Sequence, residues 1–417
     1  MNRASWNSRT SSPNESISGG LPAGPSTQTL IAAGKAPSIN SDRRTDPETG
    51  APSSGGKNDC CKGKLTFIGT HLNRPSKSLY SVCFDERSGR FSALTGAAEI
   101  DRPTWIVAHP TLPLLYSVSE VGNDGSKEAS VITLAVDRLT CEVKVIDQAY
   151  SGGRGATHLA LDSSSQTLFV ANFGDGQVSA LPMDSDGSLG PVSSMYKGFG
   201  SGVHPVRQLG PHAHGVVIDP TLQFVLVADL GSDRIFIYRF NSETRKLTPA
   251  QPAFVAMPPG SGPRHLVFHQ KGEFLFVLAE MTAQVWCYRW DAQEGHLHFV
   301  QSISALPEGF TGFKSAAEIA MADSGRYLYV STRGDSSIVA FSVDQCTGRL
   351  TEIQRVSSQG DVPWSFTISP SGLWMIVANE ASNSLAVLRL DPDTGKISST
   401  EEKLTVPQPV SITFFRH

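Results

Sequence analysis

The chain has 417 residues, 39% of them hydrophobic and 18% charged, with a formal net charge of −4. This is the composition of an ordinary globular protein, and it is not basic enough to argue for a nucleic-acid partner. The longest apolar runs are of strand length, which argues against a membrane-spanning helix and hence against a membrane partner.

Residues 1–62 differ from the rest. They are rich in Ser, Gly, Pro, Asn and Thr, carry little to bury, and read as a disordered extension ahead of a domain at 63–417. Leu30-Ile31-Ala32-Ala33 is too short for the apolar core of a secretory signal, and Arg3 and Arg9 lack the amphipathic period of an organellar leader. The six cysteines (Cys60, Cys61, Cys83, Cys141, Cys287 and Cys346) have no zinc-type spacing. The vicinal pair Cys60-Cys61 has no Cys-x-x-Cys frame and reads as incidental, so the pattern fits a reducing compartment and the expected location is cytoplasmic.

Three strand-like runs open the domain: Lys64 to Gly69, Ser78 to Phe84 and Phe91 to Leu94. A repeat follows. Thr104-Trp105-Ile106-Val107-Ala108-His109 leads into Leu114 to Glu120, and Ala156-Thr157-His158-Leu159 leads into Leu168 to Phe173. Next, His212-Ala213-His214-Gly215-Val216 leads into Phe224 to Leu230, and Pro263-Arg264-His265-Leu266 leads into Phe274 to Glu280. Ala316-Ala317-Glu318-Ile319 then leads into Tyr327 to Arg333, and Pro363-Trp364-Ser365-Phe366 into Trp374 to Glu380. The spacing, roughly 47 to 57 residues, is that of propeller blades. Most copies continue with a third and a fourth short run between Gly, Asp and Ser turns, and no segment keeps a helical period. Four strands per repeat predict an all-β, seven-bladed β-propeller. Six blades are whole, and one is split, with Pro409 to Phe415 supplying its inner strand to close the ring and remove exposed edges.

In such a ring, the start of each first strand and the end of each second strand share one rim. Aligning the copies makes columns: Trp105, His158, Gly215, His265, Glu318, Ser365; Thr104, Thr157, His214, Arg264, Ala317, Trp364; and Glu120, Phe173, Leu230, Glu280, Arg333, Glu380. Imidazoles, carboxylates and guanidiniums therefore converge on one axis. A His or Glu with its pKa near neutrality can take a proton from water, and an Arg can hold an anionic group or a developing oxyanion. His109 and His269 fall at the other end of the inner strand and read as turn-capping groups. The segment Asp229-Leu230-Gly231-Ser232-Asp233-Arg234 reads as a structural brace for the rim. No Walker loop, Rossmann glycine pattern, His-Glu-x-x-His motif or Gly-x-Ser-x-Gly elbow is present.

Pro211-His212-Ala213-His214, Asp229 to Arg234, Gly262-Pro263-Arg264-His265 and Ser315-Ala316-Ala317-Glu318-Ile319 resemble segments of the propeller-type 6-phosphogluconolactonase family, in the same order, over about residues 63–417. The resemblance independently implies seven blades. It also implies hydrolysis of 6-phospho-D-glucono-1,5-lactone to 6-phosphogluconate, the second step of the pentose phosphate pathway. The family includes fungal carboxy-cis,cis-muconate cyclases, so a lactonising enzyme is the alternative, and a non-enzymatic binding scaffold is a third. Carried over where the motifs match, the catalytic candidates are His214, Arg264, His265, Glu280 and Glu318, and the substrate-binding candidates are His158, His212 and Arg333. A His or Glu would activate water, His214 being the favoured imidazole, while Arg264 holds the phosphate or lactone oxygen and Glu280 orients a neighbour. Ala279 and Thr332 stand where the family commonly has Asn, with the charged neighbour kept. The expected partner is a small anionic lactone, with no cofactor and no metal, because Arg and His beside the carboxylates disfavour a cation.

Overall fold

The computed structural model describes residues 61–415. The expected extension over residues 1–62 lies outside them except for its last two residues. Among the described residues every regular element is a β-strand, and seven antiparallel sheets are formed. Six are four-stranded, each taking four strands consecutive in the chain. The seventh is the split blade, in which Pro409–Phe414 pairs antiparallel with Lys64–Thr70, Ile412 opposite Ile68. The all-β, seven-bladed reading is therefore observed.

The apolar runs explain the packing. Phe274–Ala279 has every residue buried because both faces of a second strand meet a neighbouring blade. Phe274, Phe276 and Leu278 pack towards Leu328, Val330 and Phe341 of the following blade. Their alternates Leu275, Val277 and Ala279 pack towards Phe224, Leu226 and Ala228 of the preceding one. The core thus consists of seven apolar seams, one between each pair of neighbouring blades.

Two expectations are corrected at the split blade. Its outer strand is not a single run over Phe91 to Leu94 but two pieces, Arg90–Phe91 and Thr95–Ala98, both paired with Leu79–Asp85. The Ser92 hydroxyl accepts the Cys83 N–H at 2.9 Å, taking the place of a ladder bond and breaking the strand. Nor is the Cys60-Cys61 pair incidental, since Cys61 forms a disulfide with Cys83. Cys141, in the next blade, is disulfide-bonded as well. Disulfides persist in oxidising surroundings, so the cysteines no longer argue for a reducing compartment.

One irregularity recurs at the rim. In regular pairing, neighbouring residues of a strand point to opposite faces. At the start of the inner strands the register slips by one: His158 pairs with Ala171 but Ala156 with Asn172, leaving Thr157 out. The same slip leaves out His214, Arg264 and Trp364 in their blades, and in one blade it leaves out both Ala317 and Glu318. A bulge re-aims the extra side chain, so the Arg264 and His265 columns both turn to the axis. Gly215 makes the close approach of two bulges possible, because a Cβ there would overlap the Arg264 carbonyl oxygen of the neighbouring blade.

Two outcomes follow. Replacing Cys61 with Ser opens a loop of sequence separation 22 and should lower the unfolding free energy by about 2–4 kcal/mol, read as a fall in urea midpoint at constant m. Gly215→Ala should cost about 1–3 kcal/mol by overpacking and should also depress turnover by displacing Arg264. A variant with wild-type stability and activity would contradict the close-approach argument.

Candidate functional site

The bulges bring one group together on the axis. Trp105, His214, Arg264, His265, Glu318 and Ser365 line a cavity of about 30 Å³, room for one or two water-sized groups and not for a sugar ring. Thr104 Oγ1, Trp105 Nε1, His214 Nδ1 and Ser365 Oγ are buried there without a hydrogen-bond partner among the described residues. Buried polar atoms are normally satisfied, so a cluster of unpartnered ones marks where a ligand oxygen would fit.

Two buried carboxyls, Glu318 in the cavity wall and Glu280 paired with Arg264, have opposite characters. Glu318 Oε1 accepts the Ile319 N–H at 3.0 Å and lies 2.9 Å from His265 Nδ1. Burial pushes its pKa up to about 7, against the pull of Arg264. Burial and Arg264 hold His265 well below the usual imidazole range. The His265–Glu318 contact is therefore a hydrogen bond between a neutral imidazole and the carboxyl and not an ion pair. Glu280 is the reverse. Burial would raise it, but three guanidiniums outweigh that and hold it down at about 2. Its Oε1 lies 2.6 Å from Arg207 Nη1, and its Oε2 lies 3.1 Å from Arg264 Nε and 3.0 Å from Arg333 Nη2.

The arginines are positioned by more than charge. Arg264 Nη1 donates to the Ala317 carbonyl and lies 3.3 Å from both ring nitrogens of His265. Burial and Arg333 bring its pKa down to about 10, so it remains cationic at neutral pH. Arg333 donates to the Ala316 carbonyl at 3.1 Å and lies over the Trp364 ring at 4.5 Å, a cation–π contact. Across the rim, Glu120 accepts from Asn123 at 2.7 Å and faces Arg102 at 3.5 Å, while Glu380 pairs with His71 at 3.3 Å. Each of these carboxylates is opposed by a guanidinium or an imidazole, or hydrogen-bonded to one, an arrangement that suits an anion better than a cation.

Seven of the eight sequence-stated candidates converge: His158, His214, Arg264, His265, Glu280, Glu318 and Arg333. The His158 ring lies 4.1 Å from Trp105 and 4.9 Å from His265, and the His214 ring lies 5.2 Å from His265. Burial, first, and neighbouring cations keep both well below the usual imidazole range. His212 is turned aside: it stacks on Phe173 at 4.5 Å and its Nδ1 bonds the Phe173 carbonyl at 2.7 Å. His109 and His269 cap turns by accepting backbone N–H groups, as expected. Asp233 braces the rim by accepting from Gly260 and Gly262 of the next blade, also as expected.

Three residues escaped the sequence reading. Arg207 lies in the connection between Ser194–Lys197 and Ala213–Ile218, outside every repeat column. His71 and Arg102 come from the split blade and its exit, where the repeat has no full copy. Periodicity carries no signal for any of them.

Residues 65–414 match the sequence profile of the family described as lactonase, 7-bladed beta-propeller. A 6-phosphogluconolactonase of Bacillus subtilis is 29% identical over 350 residues, 84% of this chain and 98% of that protein. One from Formosa agariphila is 29% identical over 84% of this chain and 99% of its own. The solved periplasmic gluconolactonase of Pseudomonas aeruginosa superposes with a TM-score of 0.80 at 33% identity, over 84% of this chain and 99% of that one. With the blades, the rim and these matches in agreement, the chain belongs to the lactonase family of seven-bladed β-propellers.

Proposed function

We propose that this protein hydrolyses a sugar lactone, 6-phospho-D-glucono-1,5-lactone, to 6-phosphogluconate. The observation that carries the reading is the small cavity in which a carboxyl poised at about pH 7, Glu318, meets a buried guanidinium and unpartnered hydrogen-bonding groups. The cavity admits a carbonyl and a water while the sugar ring stays at its mouth. The Bacillus subtilis and Formosa agariphila relatives, both 6-phosphogluconolactonases, support the substrate class.

Each group has a task. The Glu318 carboxylate takes a proton from water as the water oxygen bonds to the lactone carbonyl carbon. His265, holding Glu318 through Nδ1, fixes the carboxyl's orientation. Arg264, with Trp105 Nε1 in the same cavity, meets the negative charge that develops on the carbonyl oxygen. The bond from the carbonyl carbon to the ring oxygen then breaks, and the Glu318 proton passes to that oxygen. Glu280 is too strongly ionised to be the base and holds the arginines in place. His214, the imidazole favoured from sequence, is held far below neutrality and serves better as a hydrogen-bonding partner.

The pH dependence follows from Glu318. Its active form is the carboxylate, so kcat/KM should rise with pH through about 7 and level above it. Glu318→Gln should lower kcat by about 10²–10⁴ and remove that limb from the profile. Arg264→Ala should lower kcat/KM by about 10²–10³ with an unchanged circular dichroism spectrum. The assay is turnover of freshly made 6-phosphogluconolactone, corrected for spontaneous hydrolysis. A wild-type rate no higher than background, or unaltered kinetics in either variant, would overturn the proposal.

A further inference from the structure

The three arginines on Glu280 are not equivalent. Side-chain exposure rises from 3% at Arg264, in the cavity wall, to 10% at Arg333 and 36% at Arg207, so the cluster runs from a buried guanidinium to a solvent-accessible one. Arg264 and Arg333 each have a second anchor in a backbone carbonyl of the strand Ala316–Met321 or its start. Among the described residues, the ion-pair partner of the Arg207 guanidinium is Glu280 alone. Its backbone, by contrast, is fixed. The Arg207 N–H donates to His204 Nδ1 at 3.1 Å, and the adjoining Gln208 is buried and bonds the Leu230 carbonyl and Asp233 Oδ1, each at 2.8 Å. A pinned loop therefore carries one side chain that can exchange partners.

The charges favour that exchange. One carboxylate faces three guanidiniums, so the cluster keeps an excess of positive charge when Glu280 is fully ionised. Glu280 retains two guanidinium partners if Arg207 leaves. Arg333 Nε is also buried without a partner among the described residues, a second unsatisfied donor in the same cluster. Because the cavity has no room for the sugar ring, the far end of the substrate lies outside it, and the accessible Arg207 is linked to the cavity wall through Glu280 and Arg264.

We propose that Arg207 is a specificity residue for phosphorylated lactones: its guanidinium leaves Glu280 and binds the phosphate monoester at the far end of the substrate. This rests on the lactonase reading and deepens it by assigning the discriminating contact. Planar guanidinium groups suit bidentate phosphate binding. The contact lies away from the reacting carbon, so it should act on substrate binding more than on the chemical step.

The test compares wild type, Arg207→Ala and Arg207→Lys on 6-phosphogluconolactone and on unphosphorylated glucono-1,5-lactone, with calorimetric binding of 6-phosphogluconate alongside. Thermal unfolding checks that the variants fold. Arg207→Ala should raise KM for the phosphorylated lactone and weaken 6-phosphogluconate binding, each by about 10- to 100-fold. Its kcat should stay within about threefold, its KM for the unphosphorylated lactone should be unchanged, and the Lys variant should recover part of the loss. Equal losses on both lactones, or no loss on the phosphorylated one, would overturn the assignment. The two proposals can fail separately. A wild type that binds 6-phosphogluconate through Arg207 but hydrolyses neither lactone counts against the function and for the contact. A wild type that hydrolyses both lactones alike counts against the contact alone.

Discussion

Everything in this molecule depends on the ring being closed. A second strand such as Phe274–Ala279 has no solvent face, so its blade is stable only with a neighbour on each side. Seven blades in a row would leave two apolar flanks bare, and pairing Pro409–Phe414 with Lys64–Thr70 removes both at once. The closure is reinforced where Phe415 packs edge-on against Phe67 at 6.0 Å and its N–H bonds the Leu65 carbonyl at 2.8 Å. The Cys61–Cys83 bond ties the same blade covalently.

Closure also creates the electrostatics of the axis. Seven inner strands that converge on one line shed water from whatever their rim carries, and burying charge is costly unless it is paired. Two carboxyls equally withdrawn from solvent resolve that cost in opposite ways. Glu280, surrounded by guanidiniums, stays ionised down to about pH 2, whereas Glu318, hydrogen-bonded to a neutral imidazole, rises to about 7. The number of arginines around each separates a structural anion from a proton acceptor, and divergent environments of this kind are how one site runs both roles.

Much of this was legible in the sequence because blades repeat. Apolar runs gave strands, their spacing gave blades, and setting them in register put Arg264, His265, Glu280 and Glu318 on one rim. What escaped was whatever does not repeat. Arg207 arrives from a connection between blades, and His71 and Arg102 come from around the blade made of two chain ends. The roles escaped as well, since Glu280 and Glu318 look alike as letters and differ only in their neighbours at about 3 Å. His212 shares a motif with His214 but is drawn off by the Phe173 carbonyl. A stacking contact between separate blades has no signature in spacing. The outer strand of the split blade broke because one hydroxyl, that of Ser92, competed with the backbone for a donor.

The bulge at the head of the inner strands has a consequence for how such a protein can change. The residue it expels from the ladder is Thr157, His214, Arg264 or Trp364 according to the blade. These positions take no part in strand register and lie at the axis, outside the apolar seams between blades. Each is a socket whose occupant can be exchanged while the scaffold stays as it is. Catalytic identity and structural integrity are thereby written in different residues, and a lineage built on this ring is free to retune its chemistry one socket at a time.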